Sequence, residues 1–373
     1  MIFLAIVVFI IILGLLVFVH ELGHFVMAKR AGMKVDEFGF GFPPRIFGIK
    51  KGDTVYSVNW IPLGGFVKIV GEDGSDTQDP ASFGYKSFWQ RFFVLVAGVT
   101  MNVILAWVIL SIVMMLGAPT EVIEGEQLPK NAKVVGPTSV VVREIAPDSP
   151  ASLAGLKIGD SIFKINGQEV DSIPKLQELT TSNAGFPTTY VFKRGSSEIE
   201  KTLTPRENPP NGEGRLGIAL SMVAKIAYPW YEAPIRGGTA AINLIILTVT
   251  TFAALIGQFV QGQPVGAVLS GPVGIAVLTR DVTVLGFIYL MQFTAILSIN
   301  LAIINAVPFP ALDGGRILFL IIEKLRGRKM NARAETWANT VGFVLLLTLM
   351  VAVTVKDVSR YSDGFKNLFQ RIF

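Results

Sequence analysis

The stretch "VVFIIILGLLVFVHELGHFVMAKR", residues 7 to 30, decides how the chain is read. Its apolar run is long enough to cross a bilayer, for which about 20 apolar residues suffice. Yet it contains His20, Glu21 and His24, and ionisable groups at bilayer depth are costly enough to point to function. These are the only two histidines in a chain of 373 residues. About 19 residues at a rise of 1.5 Å precede His20, which puts the polar cluster roughly 28 Å along the helix, near the cytosolic edge of the hydrocarbon.

Composition agrees with a membrane setting. The chain is 51% hydrophobic and 16% charged, with a mean hydropathy of +0.54, whereas soluble domains run nearer a quarter charged. There is no cysteine, which excludes disulfides, thiolate metal sites and cysteine nucleophiles. Metal ligands must then be His, Asp, Glu or Asn. The net charge of +5 is spread without a long basic run, so nucleic acid is not expected as a partner. The N-terminus has no charged leader region and no small-residue cleavage site, so it reads as a retained helix over about Ile2 to Met27 and not as a signal peptide.

Four further segments are apolar and long: Phe92 to Ala118, Ala240 to Val260, Val284 to Ala306 and roughly Thr336 to Val355. Lys29, Arg30, Lys34, Arg45, Lys50, Lys51 and Lys68 follow the first helix, and Arg316, Lys324, Arg326, Arg328, Lys329 and Arg333 precede the last. Both loops should be cytosolic by the positive-inside rule. An odd number of crossings must therefore lie between residues 236 and 316, where two apolar segments stand. Ala240 to Val260 carries Asn243, Thr248, Thr250, Thr251 and Gln258 and is followed by a Gly- and Pro-rich loop, so it is expected to be a partial or surface helix. The expectation is a polytopic α-helical membrane protein of about four spans, organised as residues 1–118, 119–225, 226–283 and 284–373. The polar 119–225 block is a folded extracytoplasmic domain, and a short C-terminal tail lies on its side.

Residues 36–72, "DEFGFGFPPRIFGIKKGDTVYSVNWIPLGGFVKIVGE", are apolar but not helical in pattern. The runs Arg45 to Ile49 and Thr54 to Trp60 flank a Lys-Lys-Gly-Asp turn, a hairpin signal. A membrane-associated hairpin must lie in protein or against a wet cavity, so it is expected beside the site; the other reading is a peripheral cytosolic hairpin.

"HELGH" is H-E-x-x-H, whose histidines at i and i+4 share one helix face about 6 Å apart and can reach one zinc ion. Glu21 sits one step round, where it can take a proton from water acidified by the metal without being a ligand. The other reading is a pair of interfacial histidines with a snorkelling glutamate. A third ligand must be Asp, Glu or Asn at the same depth. Asp313 in "NAVPFPALDGGR", residues 305–316, is the best candidate, because Pro308 and Pro310 should break the third span there and end it at Asp313-Gly314-Gly315. Without a metal, Asp313 would be an ordinary helix-terminal turn residue.

HELGH together with N-x-x-P-x-P-x-L-D-G-G resembles the site-2 protease family of intramembrane zinc metalloproteases, bacterial branch, over nearly the whole chain. The resemblance implies Zn2+ bound by His20, His24 and Asp313, with Glu21 as catalytic base. It implies substrate contacts from Asn305 and Asn300 and from Gly39, Gly41, Gly64 and Gly65 of the hairpin, which would hold substrate as an added strand. "LSGPVGIA", residues 269–276, is similar to a family signature. One departure stands out: where the family has G-P-x-x-N, this chain reads Gly98-Val99-Thr100-Met101-Asn102. Asn102 is either an interhelical hydrogen-bond partner or a direct participant.

"SPASLAGLKIGDSIFKINGQEV", residues 149–170, resembles a PDZ domain, and "GRLGIAL", residues 214–220, could be its carboxylate-binding loop and adjoining strand in a circularly permuted order. Such a domain binds peptide at a sheet edge, or else only excludes bulky substrates. The expected activity is endoproteolysis of single-span membrane proteins, such as membrane-anchored anti-sigma factors or remnant signal peptides, in the bacterial inner membrane. The alternatives are a non-proteolytic membrane adaptor with a structural metal, for which Glu21 has no use, and a metal transporter, which would need more polar residues in its spans.

Overall fold

The computed structural model describes residues 2–72, 78–123, 128–195, 197–263 and 271–360. The expected C-terminal tail, and the first part of the 269–276 signature with the loop before it, lie outside the described residues. The chain divides into two compact units, one of residues 1–108, 239–280 and 293–373, the other of residues 109–238 and 281–292.

The first unit opens with α1, Ile2–Arg30. Gly32, at φ +67°, ends it in the left-handed region that glycine tolerates, with Met33 N–H returning to the Ala28 carbonyl at 2.9 Å. Lys29 and Arg30 sit in the last turn, where the helix dipole favours cations. The hairpin follows as β1, Val35–Lys51, and β2, Thr54–Ile69. Lys51 pairs with Thr54 across Gly52-Asp53, with Gly52 at φ +63°, so the turn lies where the sequence puts it. The strands run well beyond the expected cores. Their register shifts repeatedly between Val35 and Phe47, and aromatic packing on α1 holds them: Phe38 stacks on Phe25 at 4.9 Å and meets Phe18 at 5.5 Å. The outer half stays apolar and exposed at Phe42, Ile46, Phe47, Ile49, Val58 and Trp60. Helix α2, Phe88–Leu116, begins on a capping box, Ser87 N–H to Gln90 Oε1 at 3.1 Å and Gln90 N–H to Ser87 Oγ at 3.4 Å.

The second unit is a small α+β domain. In chain order it contains β3, Ala118–Glu121; β4, Lys133–Val134; β5, Ser139–Ile145; α3, Pro150–Leu153; β6, Ser161–Ile165; β7, Gln168–Glu169; α4, Ile173–Ser182; β8, Thr188–Arg194; β9, Ser197–Leu203; and β10, Ile218–Ala227. The main sheet order is β3-β10-β5-β6-β8-β9. Tyr190, Phe192, Ile162, Ile165, Val140 and Val142 form its core. The Gly159-Asp160 turn is fixed electrostatically: buried Asp160 accepts from Arg194 Nε and Nη2, both at 2.7 Å, and from Lys157 N–H at 2.8 Å.

Five helices remain: α5, Ala233–Val260; α6, Pro272–Leu285; α7, Phe287–Ala306; α8, Asp313–Arg326; and α9, Ala332–Arg360. Among the described residues, five helices are long and apolar enough to cross a membrane, namely Leu4–Arg30, Phe88–Leu116, Ala233–Val260, Phe287–Ala306 and Arg333–Arg360. The segment expected to be a partial or surface helix is one unbroken helix of 28 residues. A second difference concerns the third ligand's segment. Helix α7 stops at Ala306, before Pro308, and Asp313-Gly314-Gly315 begin α8 instead of ending the span. A proline ring removes a donor and clashes with the preceding turn, so the helix closes early. The glycines then let α8 start against the carbonyls of the linking turn. A Cβ on Gly314 would lie 2.2 Å from the Val307 carbonyl oxygen, and one on Gly315 2.2 Å from that of Phe309.

Candidate metal centre

The site lies wholly within the first unit, at the contact of α1, α2, β2 and α8. Small residues make the contact possible: a Cβ on Gly23 of α1 would fall 2.4 Å from the Ala97 carbonyl oxygen of α2. Such backbone approach is the usual way membrane helices pack closely. It brings His20 and His24, both buried, under α2.

Their Nε2 atoms are 3.2 Å apart. Asp313 Oδ2 lies 3.0 Å from His20 Nε2 and 3.3 Å from His24 Nε2. Asp313 Oδ2 is buried with no hydrogen-bond donor aligned on it. Three nitrogen and oxygen atoms at about 2.0–2.1 Å from one tetrahedral zinc ion stand roughly 3.3 Å from one another, so the orphaned oxygen and the two imidazoles fit that ion. Among the described residues this is the one cluster of three such groups within 4.8 Å. Burial raises the Asp313 carboxyl, but the two imidazoles beside it outweigh burial and hold it below the usual carboxylate range.

The second nitrogen of each ring is also engaged. His24 Nδ1 is 2.8 Å from the Val94 carbonyl oxygen, and His20 Nδ1 is 3.3 Å from the amide of Asn102, which is fully buried. Both partners belong to α2. Residues toward the metal on that helix were legible only as the G-x-x-x-N remnant; Val94, acting through its backbone, left no trace in the sequence.

Glu21, His24 and Asp313 line one cavity of about 230 Å³ with Phe66, Glu72 and Arg316. Arg316, one turn beyond Asp313, pairs with Glu72 at the end of the hairpin. Neither residue stood out in the sequence, because a charged pair formed by residues 244 positions apart has no local signature. The hairpin glycines divide. Gly65 packs on α1, its Cβ position 3.4 Å from Glu21 Cγ. Gly39 and Gly64 lie under the rings of Phe66 and Phe42, and Gly41 sits at φ +82° against the carbonyls of Ile61 and Asn59. Asn300 Oδ1 accepts from Thr248 Oγ1 of α5 at 3.3 Å, and Asn305 is half-buried in the last turn of α7; neither lines the cavity of Glu21 and Asp313.

In the sheet domain, Gly217 at φ +69° leads into β10, and its carbonyl accepts from Ala146 N–H at 2.8 Å. Ile218 to Val223 pair with β5 on one side, while among the described residues β3 pairs with Val223 to Ile226 on the other and Val122 N–H donates to the Met222 carbonyl at 2.9 Å.

Comparison with known proteins places this geometry in context. Peptidase family M50 matches residues 8–349. A protein of Clostridium acetobutylicum named as a zinc metalloprotease is 34% identical over 95% of this chain and 98% of its own length. Zinc metalloprotease RasP of Geobacillus kaustophilus is 30% identical over 95% and 97%, and the regulator of sigma-W protease RasP of Bacillus subtilis 31% over 94% and 97%. A solved PDZ domain of an SdrC-like protein from Listeria monocytogenes matches 26% of this chain and 93% of its own, at 21% identity and a TM-score of 0.20; the reading of the sheet domain rests on its own strands and turns. With 342 matched positions running from within α1 to within α9, the chain belongs to peptidase family M50, the site-2 protease family, and is a zinc metalloprotease.

Proposed function

We propose that the chain hydrolyses peptide bonds within the transmembrane segments of single-span membrane proteins, with His20, His24 and Asp313 holding the zinc ion and Glu21 as catalytic base. The observation that carries this reading is the cluster of His20, His24 and Asp313, whose ligand atoms lie within 4.8 Å of one another, beside a cavity lined by Glu21, His24 and Asp313. A bound zinc ion supplies Lewis acidity at the reacting carbonyl and at water. Glu21 would take a proton from the attacking water and pass it to the leaving nitrogen, a general acid–base role worth about 10²–10⁴ in rate. Among the described residues the hairpin is a two-stranded sheet with Gly65 packed on Glu21, and an extended substrate segment can add to its edge through main-chain hydrogen bonds. Asn300 and Asn305 are assigned to the substrate backbone; Asn300 would exchange its Thr248 partner for a peptide group.

The substrate class follows from the setting and from the Bacillus subtilis relative, named as a regulator of sigma-W protease: a membrane-anchored anti-sigma factor, or a remnant signal peptide. The 119–225 domain is of PDZ type, with the edge of Ile218 to Ser221, which no strand pairs among the described residues, as its peptide site. We place the protein in the bacterial inner membrane, in contact with lipid throughout its helices and with no role for nucleic acid.

Four net crossings suit the chain. The carboxyl ends of α1 and α7 meet at the metal site, so they share a side of the membrane. Asp281 pairs with Lys157 at 3.6 Å and Leu285 packs on Gly159, which keeps the start of α7 on the side of the sheet domain. Asp357, near the far end of α9, accepts from Gly271 and Gly274 N–H, both at 2.8 Å, so the chain is back on that side when α6 begins. On this proposal the chain makes no net crossing between the start of α5 and the start of α6. The test of the activity is cleavage of a single-span peptide by purified protein with and without a zinc chelator. Undiminished cleavage under chelation would reject it.

A further inference from the structure

The second helix carries a feature that the mechanism leaves unused. Asn102 is fully buried, and its side chain faces His20 Nδ1 at 3.3 Å while its Oδ1 has no hydrogen-bond partner. Its backbone carbonyl accepts from Ser298 Oγ of α7 at 2.8 Å, which fixes where the side chain starts. One turn earlier, Gly98 offers a bare surface to both rings: a Cβ there would lie 2.3 Å from His24 Nε2 and 2.8 Å from His20 Cε1. One face of α2 thus makes room for the imidazoles and presents a polar group to one of them.

An imidazole that gives Nε2 to a cation carries its proton on Nδ1 and must donate it, and the partner of that proton sets the tautomer. His24 donates to the Val94 carbonyl. For His20 the group within reach is the Asn102 amide. Its nitrogen cannot serve, since two donors would then face each other. The oxygen and nitrogen of an amide have nearly the same shape, and their assignment follows from the hydrogen bonds they can make. Turned by half a rotation about its last bond, the amide sets Oδ1 on Nδ1–H and gives the orphaned oxygen a donor.

We infer that Asn102 is the positioning residue for His20: its amide oxygen accepts the Nδ1 proton and holds Nε2 toward the metal. This rests on the reading of His20 as a zinc ligand. It accounts for the buried asparagine of Gly98-Val99-Thr100-Met101-Asn102 without a catalytic part.

The test is zinc affinity of the purified full-length protein, measured by competition with a chromophoric chelator. Asn102→Ala and Asn102→Leu should weaken zinc by about ten- to a hundredfold, the usual cost of losing such a partner. Asn102→Asp, nearly the same shape and an acceptor only, should stay within about threefold of the wild type. Wild-type affinity in Asn102→Ala would overturn the inference, and so would an Asn102→Asp protein as weak as Asn102→Ala, which would make the amide a donor. His20→Ala separates the two claims. If it loses zinc while Asn102→Ala keeps it, the inference alone falls; if it keeps zinc, the ligand assignment beneath it falls.

Discussion

Glu21 differs from its neighbours His20 and His24 in one respect: it lines the site cavity but is not among the three atoms that could share an ion. A base in that position is needed for proton transfer and not for metal retention, so the two functions should separate on substitution. Glu21→Gln should keep its zinc, read by metal analysis of the purified protein, and lose about 10²–10⁴ in kcat on a single-span peptide. Loss of zinc in parallel with activity would make Glu21 a ligand. Asp313→Ala should behave in the opposite way. It removes the proposed ligand from a different helix, and zinc should fall by well over the ten- to hundredfold of losing an outer hydrogen-bond partner.

At the scale of elements, the site depends on how closely α2 and the hairpin approach α1. Gly98→Ala puts a methyl carbon 2.3 Å from His24 Nε2, far inside contact distance. Overpacking of this kind costs about 1–3 kcal/mol, and the rings must shift. The expected outcome is a protein that purifies as a monodisperse peak with sharply reduced zinc content. The hairpin is held by rings, not by helix backbone. Phe38 stacks on Phe25 and touches Phe18. Phe38→Ala should leave zinc unchanged and raise KM about tenfold through a loosened strand edge, if loss of one well-placed aromatic contact costs the order of 1.5 kcal/mol. Equal KM in the two proteins would detach the hairpin from substrate binding.

For the whole molecule, the distinguishing prediction is which loops share a side. The chain has no cysteine, so single cysteines report topology without background. Ser172→Cys, in the sheet domain, should react with a membrane-impermeant maleimide in intact cells. Asp53→Cys at the hairpin turn and Lys329→Cys before α9 should react only after permeabilisation. If α5 made a full unreturned crossing, Ser172→Cys and Lys329→Cys would label alike, and the four-crossing proposal would fail.

Much of the centre was written into local sequence, because the spacing of His20, Glu21 and His24 on one helix is itself three-dimensional information. The apolar runs likewise dictated a membrane protein, and Gly52-Asp53 dictated the hairpin turn. Other features needed the folded chain. The strands outgrew Arg45 to Ile49 and Thr54 to Trp60 because glycines and Pro43-Pro44 break the period-two pattern, while Phe18 and Phe25 of α1 supply the packing that extends them. Asp313-Gly314-Gly315 read as a helix end since glycine is a poor helix former, yet it starts α8, where the missing side chains admit the carbonyls of Ala306, Val307 and Phe309. The roles of Asn102, Val94, Glu72 and Arg316 come from residues that are remote in sequence and adjacent in space. Local pattern determined which atoms could bind an ion; only long-range packing of buried helices decided what orients them.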